Sequence, residues 1–169
     1  VTGDGAGILF QIPHKFLQTE CEKLGFFLPE QSQYGVGIVF GSQNKELRDK
    51  CDRILEDSLS HYGLRVLGGR DVPTSNDCLG KIALQAEPTI KQIFVDGAGL
   101  ENELLERTLY LARKRAEKLV RKNFGQEGED FYVPTLSCRT ICYKGMFMAW
   151  QLFAYYPDLA DERLGSALA

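Results

Sequence analysis

Hydrophobic positions fall into two kinds of spacing along this chain. Residues 6–12 form a short apolar run closed by Pro13, which reads as a strand followed by the first turn of a helix, where a missing N–H costs nothing. Phe16, Leu17, Cys21 and Leu24 then keep helical spacing as far as Gly25. Residues 35–40 (GVGIVF) read as a glycine-opened strand. Leu47, Cys51, Ile54, Leu55, Ser58, Leu59 and Tyr62 follow the i, i+3, i+4 pattern of an amphipathic helix, with Gly63 as its C′ residue. Residues 64–67 read as a strand running into a turn at 68–71, and residues 89–95 as another strand.

The longest helix is predicted over 101–123, with Leu105, Leu109, Ala112, Ala116 and Leu119 as its stripe. Glu101, Glu103 and Glu106 lie near its start, and Arg121 and Lys122 near its end, as the helix dipole favours. Residues 125–130 form an acidic, glycine-bearing loop, and residues 131–143 a long strand or hairpin interrupted at Pro134. An aromatic-rich helix is expected over 147–155, then an exposed tail over 157–169. Helices and strands are mixed, and the strands are few for a closed barrel, so the class is α+β or α/β.

Composition narrows the partners more than the fold. The chain has 169 residues, enough for one domain with a real core. A net charge of −3 gives no global reason to expect nucleic acid. No apolar run approaches the ~20 residues of a membrane span, so no membrane partner is expected. Five cysteines (Cys21, Cys51, Cys78, Cys138 and Cys142) lack CxxC spacing, which argues against a zinc ribbon or a disulfide framework and for reduced, mostly buried thiols in a cytoplasmic protein.

Candidate chemistry is sparse. The GDGAG stretch, residues 3–7, is either a phosphate cradle or a tight turn feeding a strand. It matches neither GxGxxG after a strand nor GxxxxGK[ST]. The basic cluster at 113–122 lacks interleaved aromatics and reads as a solvated helix face. His14 and His61 sit in no metal-ligand pattern, so no metal site is expected. Arg70 and Asp71 follow two glycines, and Arg139, Tyr143 and Lys144 lie on a strand reaching Gly145. Charges so placed bind a ligand carboxylate or form an internal ion pair.

Several stretches together resemble one family. They are TGDGAGIL at 2–9, QIPH at 11–14, GVGIVF at 35–40, VLGGRDVP at 66–73, and Arg107 with LYL at 109–111 and RKRAE at 113–117. LS at 136–137, RTI at 139–141, YKGM at 143–146, and Phe153 with YPDL at 156–159 complete the set. The chain resembles the glutamine amidotransferase domain at the front of the glutamate synthase large subunit, over nearly its whole length and in order. Two departures stand out: Gly69 replaces the usual tryptophan of LGWRDVP, and residues 147–150 replace a Thr-Pro-type helix start.

The resemblance implies an α+β domain, part of the four-layer αββα fold of N-terminal-nucleophile amidotransferases, incomplete at both ends, with residues 1–169 as a partial domain. It implies a nucleophilic cysteine before Val1 and glutamine-binding and oxyanion motifs after Ala169, so no residue here is expected to be catalytic. Gly3, Asp4, Gly5, Arg70, Asp71, Arg139, Tyr143, Lys144 and Gly145 are expected to be scaffold in family motifs. The implied activity is release of ammonia from glutamine for reductive amination of 2-oxoglutarate. FMN and an iron–sulfur cluster are implied for the parent enzyme and none in this segment. The implied partners are glutamine, the remaining domains of the same polypeptide and a small reductase subunit. The alternative readings are a non-catalytic interaction or regulatory module on the same scaffold, and a phosphate- or nucleotide-binding domain using GDGAG.

Overall fold

The computed structural model describes residues 5–167. The elements are β1 (Ala6–Gln11), α1 (His14–Lys23), β2 (Tyr34–Gly41), α2 (Lys45–His61), β3 (Arg65–Asp71), α3 (Lys81–Gln85), β4 (Thr89–Asp96), α4 (Asn102–Phe124), β5 (Tyr132–Ser137), β6 (Thr140–Gly145) and α5 (Gln151–Tyr155). The strands form a large antiparallel sheet in the order β3-β4-β2-β5 and a small one pairing β1 with β6. This is the expected α+β mixture of antiparallel sheets and flanking helices.

Strand alternation divides the interior into two cores on opposite faces of the large sheet. On one face Val39, Ile93, Val95 and Val133 meet Cys51, Leu55 and Leu59 of α2 and the α4 stripe of Leu105, Leu109, Ala112, Ala116 and Val120. Val120 closes that stripe and Leu119 is only half-buried, one position off the expected pattern. Helix α4 lies close to the sheet because Gly35 of β2 carries no side chain. A Cβ at Gly35 would stand 2.6 Å from Leu109 Cδ1. On the other face Val36, Ile38, Ile90 and Phe94 meet α1, the small sheet, α5 and the C-terminal turns through Phe16, Leu17, Ile141, Tyr143, Tyr156 and Leu164.

The ends of α2 follow from local chemistry. Asn44 Oδ1 accepts hydrogen bonds from the N–H groups of Glu46 at 3.0 Å and Leu47 at 3.3 Å, an N-cap. At the other end Gly63 has φ +78°. Its N–H donates to the Ser60 carbonyl at 2.9 Å, and the Leu64 N–H to the Leu59 carbonyl at 3.0 Å, a Schellman closure.

Two expectations are corrected. Residues 68–71 are not a turn. They continue β3 along β4 as far as Asp71↔Lys91, past a bulge between Val66 and Gly68. The pairing along β4 carries this glycine-rich stretch through as an edge strand. Residues 157–164 are not an exposed tail. They form 3-10 turns that bury Asp158, Leu159 and Leu164. Of the two readings of 131–143, the strand or the hairpin, the structure has the hairpin, and its strands part into different sheets, β5 into the large one and β6 into the small one. Pro134 is tolerated because β5 is an edge strand and its register with β2 shifts between Ile38 and Phe40. No described helix is long and apolar enough to cross a membrane.

Candidate functional site

The chemistry that the fold gathers most tightly lies between the two sheets. Arg70 and Gln92 are register partners on neighbouring strands of the large sheet and face the same way. The Arg70 guanidinium reaches Asp158 with both ends, Nη1 to Oδ2 at 2.7 Å and Nη2 to Oδ1 at 2.6 Å. Its Nη1 also donates to Gln92 Oε1 at 2.9 Å. Gln92 Nε2 donates to the Tyr143 hydroxyl at 2.8 Å, and that hydroxyl donates to Asp158 Oδ2 at 2.8 Å. The four side chains close one ring of hydrogen bonds.

Every member is buried, Arg70 at 8% exposure and Asp158 at 5%. Burial opposes the charge on Arg70, but the Asp158 carboxylate outweighs it and holds the guanidinium pKa above its ordinary value. Burial, with Asp158 second, pushes the Tyr143 phenol well above the ordinary range, so it is a neutral donor. The Phe16 ring lies 5.5 Å under the guanidinium. A bidentate guanidinium–carboxylate pair braced by further hydrogen bonds is the form in which buried charge is tolerated. This arrangement fixes geometry: it holds an internal ion pair and leaves no proton poised for transfer.

The remaining expected residues scatter around it. Gly3 and Asp4 lie outside the described residues. Gly5 enters β1 with φ +109°. Asp71 is exposed, next to Arg70 in sequence but on the opposite face of β3. Arg139 is not on a strand but in the β5–β6 turn, where its Nη2 donates to Glu103 Oε1 of α4 at 2.7 Å. Lys144 lies half-buried with Nζ 5.1 Å from the centre of the Tyr132 ring. Gly145 ends β6 beneath Phe147, whose ring would stand 2.2 Å from an added Cβ. Arg70 and Tyr143 are therefore brought together; the others are not. At the departure from the family pattern, Gly69 faces with Ile93 on the helix side of β3, and an added Cβ would meet only the Gln92 carbonyl, at 3.4 Å.

Sequence reasoning missed three contributors. Asp158 and Gln92 complete the ring, and Glu106 caps the β5–β6 turn. Its Oε2 accepts from Ser137 Oγ at 3.0 Å, the Cys138 N–H at 2.9 Å and Cys138 Sγ at 3.2 Å. Asp158 had a signal in the YPDL motif, where Pro157 starts the turn that presents it.

Cys21, Cys51, Cys138 and Cys142 are placed as thiols, not as nucleophiles. Burial pushes Cys21 up to about 12 and Cys51 and Cys138 up to about 11, and it raises Cys142. A thiol so shifted is almost wholly protonated near neutrality and reacts poorly. All five are free. Among the described residues no group of three His, Cys, Asp or Glu side chains lies together as a metal site. Beside the end of β6 lies a mainly apolar cavity of about 420 Å³, bordered by Phe40, Ile90, Tyr132, Met146, Phe147 and Tyr156.

The model of the family "Glutamine amidotransferases class-II" matches residues 1–169. The chain is 42% identical over 171 residues to the "Glutamate synthase [NADPH] large chain" of Bacillus subtilis, covering 99% of this chain and 11% of that one. It is 39% identical over 170 residues to the protein of the same name from Azospirillum brasilense, with 99% of this chain and 11% of that one covered. It is 40% identical over 178 residues to "Glutamate synthase [NADH]" of Saccharomyces cerevisiae, covering 99% of this chain and 8% of that one. The chain thus spans only about a tenth of the length of these curated relatives.

Proposed function

Since the chain belongs to the class II glutamine amidotransferases, we propose that it is scaffold within the glutamine-hydrolysing domain of a glutamate synthase. The observation that carries this is the unbroken match: the family model covers residues 1–169, and the glutamate synthase chains align with 99% of the sequence.

In this reading the chemistry belongs to the complete domain. An N-terminal cysteine ahead of Val1 attacks the side-chain amide of glutamine, with its own α-amino group as base. Donors beyond Ala169 stabilise the tetrahedral oxyanion. Ammonia is released and carried to 2-oxoglutarate, which is reductively aminated to glutamate elsewhere in the same polypeptide. In this reading the flavin and the iron–sulfur cluster of the parent enzyme are not held here: among the described residues the cysteines form no cluster of ligands. Those groups belong to other domains, and reducing equivalents come through them or through a small subunit. The buried, protonated thiols of this segment support its role as scaffold, and the free state of all five suits a cytoplasmic protein.

The test is ammonia release from glutamine, measured side by side for residues 1–169 and for the complete polypeptide that carries them. The complete polypeptide is expected to turn over, and a thiol-reactive glutamine analogue to label its N-terminal cysteine. The segment is expected to do neither. Turnover by the purified segment, or none by the complete polypeptide, overturns the reading. A native polypeptide of about 19.0 kDa would instead favour a non-catalytic interaction module on this scaffold.

A further inference from the structure

The ring of Arg70, Gln92, Asp158 and Tyr143 joins three parts of the molecule that no backbone ladder joins. Arg70 and Gln92 sit on β3 and β4 of the large sheet, Tyr143 sits on β6 of the small sheet, and Asp158 sits in the turn Pro157–Ala160. Tyr143 pairs with Ile8 of β1, so fixing β6 also fixes β1. The next turn back from Asp158 is bound as well. Tyr156 donates its hydroxyl to the Lys144 carbonyl at 2.8 Å, and its ring meets Tyr143 edge-on at 5.0 Å. The small sheet and the C-terminal turns are thus both held to the large sheet at one point.

We infer that Arg70, Gln92, Asp158 and Tyr143 are positioning residues for glutamine hydrolysis, setting β1, β6 and the turn at 157–160 against the large sheet. The inference rests on the functional reading above, in which the attacking cysteine leads into β1 and the glutamine-binding motifs follow the C-terminal turns. Both would then be registered through this ring, although none of its members touches substrate. Hydrogen bonds suit the task better than apolar packing. A bidentate guanidinium–carboxylate pair tolerates one orientation, whereas apolar contacts tolerate small slides. A small misplacement far from the reacting atoms is costly to turnover.

The test uses the complete polypeptide. Tyr143→Phe removes one donor and one acceptor and leaves the ring packed. Its glutamine-dependent kcat is expected to fall roughly 10- to 100-fold, with KM little changed. Glutamate formation from added ammonia is expected to stay at the wild-type rate. A second variant separates position from stability. Arg70→Met with Asp158→Leu exchanges the ion pair for apolar side chains, an exchange that often preserves stability. It is expected to melt near wild type and still hydrolyse glutamine slowly. Unchanged glutamine turnover in Tyr143→Phe overturns the inference. So does an equal loss with ammonia, or recovery of turnover together with melting temperature in the double variant. Wild-type protein that releases no ammonia from glutamine overturns the functional reading, and this inference with it.

Discussion

At the scale of single residues, charge pairing inside and outside the protein has different consequences. Arg70 and Asp158 are sealed from water, so losing one partner strands the other. Arg163 is the exposed counterpart. It reaches Asp161 at 2.5 Å and Glu20 at 2.9 Å, with its guanidinium 4.9 Å from the centre of the Phe16 ring. The hydrogen bonds from Arg163 hold the Asp161 carboxyl down to about 2, against an ordinary 3.8. A carboxylate depressed on folding contributes stability that is present above its unfolded value and lost as pH falls through its folded one. Wild type is therefore expected to melt above Asp161→Asn at pH 7. The gap is expected to close as pH falls from the ordinary 3.8 towards about 2. Because the pair is solvent-exposed, the gap is expected to be small and to shrink in salt. Melting temperatures across that pH range, with and without added salt, check both points.

At the scale of elements, what the sequence reveals depends on whether the cause is local. The helical stripes of α2 and α4 are visible because burial repeats every third or fourth residue. The Gly63 closure is visible because only the left-handed region serves there. The cap is equally local, so Asn44→Ala is expected to cost about 1 kcal/mol without moving the helix. Chemical denaturation of the isolated segment checks that figure. The extent of β3 was hidden, because Gly68 and Gly69 look like a turn until β4 supplies the ladder. The turns at 157–164 were hidden for the same reason, since their buried side chains meet partners far away in the chain. The ring shows the limit most sharply. Arg70 and Tyr143 stood out from their neighbours, but Gln92 and Asp158 lie 22 and 88 positions from Arg70. No periodicity links residues so far apart.

At the scale of the whole molecule, the small sheet is the part left least covered. Among the described residues β1 is paired along β6 alone, so its other edge presents free N–H and C=O groups. Its outward side chain, Leu9, is 63% exposed. Met146 at 75%, Trp150 at 63% and Phe153 at 48% are large apolar groups in water near the far end of the same hairpin partner. Phe147, Tyr155 and Tyr156 are buried, so only some of the large side chains between 146 and 156 reach the surface. An unpaired edge beside exposed apolar groups is the arrangement that other chains pair with. The segment of residues 1–169, purified alone, is therefore expected to self-associate as its concentration rises. Leu9→Lys places a charge on that strand, the device by which natural edge strands resist pairing. It is expected to shift sedimentation towards the monomer without lowering the melting temperature, because the side chain it replaces contributes little to either core. Wild-type segment that stays monomeric at high concentration would show that the edge is already protected. Association unchanged by Leu9→Lys would move the contact from β1 to the exposed groups at Met146, Trp150 and Phe153.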